Sequence, residues 1–310
     1  MLLDREKLAR FPHLAKIVSA QVESWPDHTK YLAQRFNGED PSALARTEDL
    51  SRLVLSLTGD KLSQYCDDYQ WMCVNFIEEE KYFRRHKHYR LNTFADAYRE
   101  VYSNQSYMSR YVNGILLSQV FWHNHAAAMD LFRARFLPRL PENYRHLEVG
   151  PGHGLFLSCA AADPRCAAAI GWDVSASSIE ATRAALAKLG IARPVTLILQ
   201  DVLLAPPQRG EFDSAIISEV LEHLEEPQTA LKNLHGSLVS GGWLFVNVPI
   251  NSPAPDHIFM WREPDEIRTL VEQSGFEIEE LHLLPMTGYS VERALQMAAS
   301  ISCVVFARRP

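Results

Sequence analysis

From the N-terminus to about Pro141, apolar residues recur at three- and four-residue spacing, as in "YCDDYQWMCVNFIEEEKYF" and "YMSRYVNGILLSQVFWHNHAAAMDLFRARF". That period puts apolar side chains on one face of a helix. Glycine is sparse here and β-branched residues do not cluster, so residues 1–140 are predicted to be all-helical, a lid or substrate domain. After "LPRLPENY", whose two prolines mark a boundary, the pattern changes. Short apolar runs ("HLEVG", "AAAIGWDVS", "VTLILQDV", "FDSAIISEV", "GWLFVNVPI") alternate with amphipathic stretches. Alternation of this kind predicts βαβ units and a parallel sheet over 141–310. "GFEIEELHLLP" and "CVVFARR" supply two further strands after the helix "EPDEIRTLVEQSG".

Composition narrows the picture. With 310 residues and 47% hydrophobic content the chain can bury a substantial core in two domains. A formal charge of -7 offers no general attraction to phosphate backbones or anionic lipid, which argues against nucleic acid and membrane surfaces as partners. No uncharged run reaches the roughly 18 residues of a membrane span, and the first residues do not read as a secretion signal. Five cysteines in no close pair argue against a disulfide framework and point to a reduced, cytoplasmic setting. Nothing in the sequence reports the oligomeric state.

"HLEVGPGHGLF" places a strand before Gly150, Gly152 and Gly154, with an apolar helical run after them. Glycines allow a sharp turn and let a ligand approach the backbone at a helix N-terminus. The dinucleotide pattern G-x-G-x-x-G would need glycine where Leu155 stands. With Glu148 two residues before it, G-x-G-x-G instead resembles the first motif of the class I S-adenosylmethionine-dependent methyltransferases. The next strand ends in Asp173, where a carboxylate can accept from both hydroxyls of a ribose. The third ends at Asp201, placed to accept from an adenine amine, with Val202 beside it for apolar contact. The resemblance covers roughly His146 to Pro310. It implies a Rossmann-like seven-stranded sheet, six strands parallel and one antiparallel, with S-adenosylmethionine across the carboxyl ends of strands one to four. Carried over by position, Glu148, Gly150, Gly152, Gly154, Asp173, Val174, Asp201, Val202, Ser218 and Glu219 form the cofactor pocket.

"SEVLEHLEEP" places Glu219, Glu222 and His223 at i, i+3 and i+4, one face if the stretch is helical. With His257 they resemble the metal-ligand set of methyltransferases that cap small RNAs at the 3′ end. The same string occurs in small-molecule methyltransferases without metal, and the negative charge disfavours RNA, so no metal is expected. Glutamates at a helix N-terminus also have an ordinary explanation in the helix dipole.

Tyr107, Tyr111, Ile115, Ser118 and Trp122 form a helical stripe, read either as core between helices or as rings facing a sulfonium, where cation–π attraction is worth about 0.5–2 kcal/mol. The expected activity is methyl transfer to an oxygen, nitrogen or carbon of a small molecule, resting on proximity and alignment. His223 and His257 are candidate general bases, and Tyr107 and Tyr111 candidate ring contacts. The alternative keeps the fold and cyclises the aminobutyrate arm of S-adenosylmethionine, as bacterial azetidine-2-carboxylate synthases do.

Overall fold

The computed structural model describes residues 2–206 and 209–310. Its first half is helical throughout. The main helices are Pro12–Ser24, Thr29–Phe36, Pro41–Thr58, Leu62–His86, Gln105–Phe121 and His123–Leu131. Local chemistry sets their ends. Asp40 accepts from the Ala43 amide at 2.9 Å with Pro41 at the first helical position, and Asn104 accepts from the Tyr107 amide at 3.0 Å; both are side-chain caps of otherwise orphaned amides. Lys87, left-handed at φ 64°, closes the 25-residue helix before it. The helices Leu62–His86 and Gln105–Phe121 meet closely at Gly114. A Cβ there would lie 2.7 Å from Met72 Sδ, so only glycine lets them approach.

The second half is a seven-stranded sheet in the order β3-β2-β1-β4-β5-β7-β6. Its strands are β1 Tyr144–Val149, β2 Cys166–Asp173, β3 Val195–Leu199, β4 Phe212–Ser218, β5 Leu238–Ile250, β6 Glu277–Pro285 and β7 Ile301–Arg308. β7 is antiparallel to both neighbours, β5 and β6, and β1 to β5 pair in parallel, as the resemblance implied. The central strands are buried along almost their whole length, which is why they read as continuous apolar runs. β1 is flanked by β2 on one side and β4 on the other. The winding reverses there, and the crevice beyond the carboxyl ends of such strands is where open α/β sheets take ligands.

The hydrophobic core does not divide at the prolines. Phe132 and Phe136, on the π-helical turn Phe132–Phe136, pack against the sheet face. Phe132 meets Phe156 with ring centroids 5.1 Å apart, and Phe136 meets Phe245 at 5.4 Å and Phe306 at 5.5 Å. These rings join the helical residues Leu14, Phe36 and Tyr69 in one continuous buried cluster. A polar tie reinforces it, since Asn124 Nδ2 donates to Ser302 Oγ on β7 at 2.9 Å. No helix among the described residues is long and apolar enough to cross a membrane.

Candidate active site

A cavity of about 1140 Å³ opens between the carboxyl ends of β1, β2, β4 and β5 and the helical half. The glycine turn forms part of its wall. Gly150, Gly152 and Gly154 all take left-handed backbone, at φ 66°, 48° and 73°, a region that costs other residues. Gly150 N donates to Trp172 O on β2 at 2.8 Å, Gly154 N to Pro151 O at 2.7 Å, and Thr182 Oγ1 to Gly152 O at 2.8 Å. A Cβ at Gly152 would meet only Gly150 O, 3.9 Å away, so its open side faces the cavity. Gly154 stands behind the turn as the N-cap of helix Leu155–Ala162 and is not in the wall.

Of the predicted acids, Glu148 and Asp173 reach the cavity and Asp201 does not. Glu148 is 3% exposed, with Oε2 unpartnered among the described residues; burial alone drives its carboxyl well above the usual range. Asp173, at the end of β2, accepts from the Ser175 amide at 2.8 Å through one oxygen, and burial raises its pKa against that bond. Val174 beside it is exposed into the same space, and buried Val202 supplies an apolar wall. Asp201 instead caps its own turn, accepting from Leu203 N at 2.9 Å, and Gln200 takes the place in the wall. An acid two residues beyond a strand end can turn back on its own backbone, and spacing alone does not reveal that choice.

The stretch after β4 is not the helix whose face the sequence spacing assumed. Glu219 has left-handed backbone, φ 54°, and only a single 3-10 turn, Leu221–His223, follows before the next helix starts at Pro227. The left-handed residue breaks helical continuity, and Pro227 fixes the later start. Glu219 is anchored instead to β5. Its amide donates to Asn247 O at 2.9 Å, and Asn247 Nδ2 donates to Glu219 Oε1 and to Ser218 Oγ, both at 3.0 Å. Both Ser218 and Glu219 line the cavity, and burial raises the Glu219 carboxyl to about 7.

Glu222 is fully buried with both carboxylate oxygens unpartnered among the described residues. Burial, then the Glu219 charge, push its pKa well up. Its carbonyl accepts from the amides of Ile258 and Phe259, at 3.0 and 2.9 Å, pinning the segment after β5 against this turn. That pinning brings His257 beside His223, ring centroids 5.0 Å apart. Burial lowers the His257 pKa to about 4, so its imidazole is neutral at pH 7.

The helical half closes the cavity. Tyr111 OH donates to Asp256 Oδ1 at 2.9 Å and Tyr102 OH to Asp256 Oδ2 at 3.1 Å. Trp122, Gln119 and buried His125 complete the inner wall. Trp122 Nε1 donates to Tyr69 OH at 2.9 Å, and its ring meets His125 edge-on. Tyr107 is not in the wall: it packs on Trp71, 4.7 Å between centroids, and stacks behind Tyr111. The helical stripe thus serves both as core and as cavity lining. Sequence reasoning passed over Tyr102 and Asp256. The acid preceding His257 in "PAPDHIFMW" was the one local signal.

A family model described as a methyltransferase domain matches residues 121–281, more than half of the chain. The chain belongs to the methyltransferase-domain family. A curated relative, trans-aconitate 2-methyltransferase of Methylobacterium radiotolerans, is 33% identical over 129 residues, 41% of this chain and 47% of the relative. The chain therefore spans about half the length of the curated relative it matches. Among solved structures, the [4+2]-cyclase SpnF is similar at 19% identity and TM-score 0.49, covering 60% of this chain and 82% of that one. A putative methyltransferase from Bacillus halodurans matches at 18% identity and TM-score 0.48, covering 58% and 99%. The cofactor of this methyltransferase domain is S-adenosylmethionine, and the residues present fit it. The side-chain-free cradle at Gly152, the carboxyl of Asp173 and the unpartnered Glu148 oxygen all open into one cavity.

Proposed function

We propose that this protein transfers a methyl group to a small-molecule acceptor held between the strand ends and the aromatic wall of the helical half. The observation that carries the reading is the continuity of the cavity. The glycine turn and Asp173 line one part and Tyr102, Tyr111, His223 and His257 another, with no wall between them. S-adenosylmethionine, when bound, supplies an electrophilic methyl on a sulfonium. Asp173 would hold the ribose hydroxyls and the Gly150–Gly152 backbone would pass beneath the nucleoside, with Val174, Val202 and Gln200 around it. Glu148, Ser218 and Glu219 would meet the polar groups of the amino-acid arm. Tyr102 and Tyr111, fixed by Asp256, would exclude water and hold the acceptor in line, the main source of acceleration in a transfer of this kind. His257, neutral at pH 7, is placed to take a proton.

The partners are thus small molecules rather than nucleic acid, and the net charge of -7 supports this. Five free thiols support a cytoplasmic setting. Incubating the purified protein with S-adenosylmethionine and a panel of acceptors tests the function. S-adenosylhomocysteine should form only when an acceptor is present. Methylthioadenosine appearing from the cofactor alone would replace methyl transfer with cyclisation.

A further inference from the structure

The character of the acceptor can be read from the wall that faces it, an inference that rests on the methyl-transfer reading. The helical half builds its share of the wall without one aspartate, glutamate, lysine or arginine among the described lining residues, in a chain of which 22% of the residues are charged. Its polar groups are amides, hydroxyls and one imidazole. That imidazole, His125, lies 2.9 Å from Ser118 Oγ and 3.2 Å from Gln119 Nε2, and burial lowers its pKa to about 3, so it is neutral at pH 7. The charged groups across the cavity are engaged or covered. Tyr111 and Tyr102 take both oxygens of Asp256, Asn247 donates to Glu219 at 3.0 Å, Glu222 is fully buried, and Lys188 Nζ donates to the Leu57 carbonyl at 3.1 Å. Glu148 and Asp173 stand at the cofactor's end. An ion seated against the helical wall would lose its water and gain no counter-charge, which is costly.

Size points the same way. S-adenosylmethionine, with about 27 non-hydrogen atoms, fills roughly 500 Å³ at the density of a protein interior. Of the cavity's 1140 Å³ roughly 600 Å³ is then left, the space of a pocket for a drug-sized molecule. Apolar side chains stand at its rim with their surfaces uncovered. Phe94 is 41% exposed, Tyr98 56% and Val112 40%, and all three line the cavity. Phe94 lies 6.3 Å from Tyr98 and 6.0 Å from Tyr102 between ring centroids, so the three rings form one row. Scattered exposed apolar residues are ordinary, but a contiguous row at a cavity mouth marks a binding surface. The ledge that carries the row, helix Phe94–Ala97 and the π-helical turn Tyr98–Tyr102, is fixed. Thr93 Oγ1 accepts from the Asp96 amide at 3.2 Å, the Phe94 amide donates to Glu225 Oε1 at 3.0 Å, and Ala97 packs with Leu91 and Ile258 in a small cluster of its own. Rings ordered in advance lose little freedom on binding.

We propose that the methyl acceptor is a bulky, uncharged and largely apolar molecule of polycyclic size, its body lying against the row of Tyr98, Phe94 and Tyr102 and against Val112. Phe94 and Tyr98 are then specificity-determining residues. They touch the acceptor and leave the cofactor alone.

The test is a fluorescence titration and needs no turnover. The full-length protein saturated with S-adenosylhomocysteine is titrated with 1-pyrenemethanol and with two probes that keep its body and change its charge, 1-pyrenecarboxylate and 1-pyrenemethylammonium. The alcohol should bind at least about tenfold tighter than either ion, the cost of leaving a charge unpaired against this wall. Benzyl alcohol, too small to reach the ring row, should compete at least about a hundredfold more weakly. Phe94→Ala and Tyr98→Ala should each weaken 1-pyrenemethanol at least about fivefold through loss of an aromatic contact. Leu204→Ala, which trims an apolar side chain 62% exposed and outside the described lining, should leave it unchanged, which separates the site from adsorption to the surface. The charge series is read on the parent alone and does not depend on the folding of any variant. No binding of the alcohol would overturn the proposal, as would either ion binding as tightly as the alcohol, or unchanged affinity in both ring variants. Failure of the parent to bind S-adenosylhomocysteine would instead strike the methyl-transfer reading.

Discussion

Replacing Gly150 by alanine tests the turn on which the pocket rests, and the structure separates two costs. The first is conformational: at φ 66° an alanine pays about 1–2 kcal/mol for left-handed backbone. The second is steric, since the new Cβ would stand 2.7 Å from Val220 Cγ2, about 1 Å inside a relaxed carbon–carbon contact. Relieving that overlap by moving Val220 or the turn costs roughly 1–3 kcal/mol. Together they remove about 2–5 kcal/mol, a large part of an ordinary domain's roughly 5–15 kcal/mol. Val220→Ala alone forfeits about 1–2 kcal/mol of packing but deletes the clashing atom. In that background Gly150→Ala should cost only the conformational part, giving a coupling of about 1–3 kcal/mol in a double-mutant cycle. Urea unfolding of the four proteins measures it, with calorimetric titration of S-adenosylmethionine alongside to show the cofactor-binding loss easing in the double variant. If the two substitutions prove additive, Val220 does not press on the turn and this account of Gly150 is wrong.

Asp173→Ala should weaken S-adenosylmethionine by about 2–3 kcal/mol, roughly 30- to 150-fold, if the carboxylate accepts from both ribose hydroxyls; calorimetric affinity equal to the parent's would remove Asp173 from the pocket. Glu219 gives a pH signature. With its folded pKa raised to about 7, the folded protein keeps a proton that the unfolded chain releases above about 4.5, so this group's contribution is complete below about 4.5 and is lost as pH rises to about 7. Glu219→Gln should abolish that loss. Because Glu219 keeps part of its surface open to the cavity, the stability of the parent relative to the variant should fall by only about 2 kcal/mol between pH 5 and pH 8, and parallel urea-stability curves would refute the assignment. Methyl transfer should persist after dialysis against a chelator; activity restored only by a divalent ion would point to metal at Glu222, His223 and His257.

The centre of the sheet was legible because β1, β4 and β5 are buried along almost their whole length and therefore appear as apolar runs between turns. The turn at Gly150 to Gly154 and the acid closing β2 were legible for a related reason: their chemistry is local, set by residues a few positions apart. The rest of the site depends on contacts that no spacing encodes. Glu222 and His223 looked like neighbours on a helix, but the left-handed backbone of Glu219 takes them off it. His257 joins them through the bonds from Ile258 and Phe259 to the Glu222 carbonyl. Tyr102 and Asp256 are 154 positions apart in the chain and meet at 3.1 Å. Tyr107 and Tyr111 share a helical face, yet only Tyr111 reaches the cavity. Periodicity reports which side of a helix is apolar, not where the neighbouring surface opens.

Phe132 and Phe136 plug the helical half into the same oily interior as Phe156, Phe245 and Phe306. Severing the chain near residue 140 would therefore not release a working catalytic half but strip the sheet of one cover, exposing a contiguous aromatic surface that invites aggregation. A swing of the first 140 residues as one body would have to pull those rings out of the shared interior.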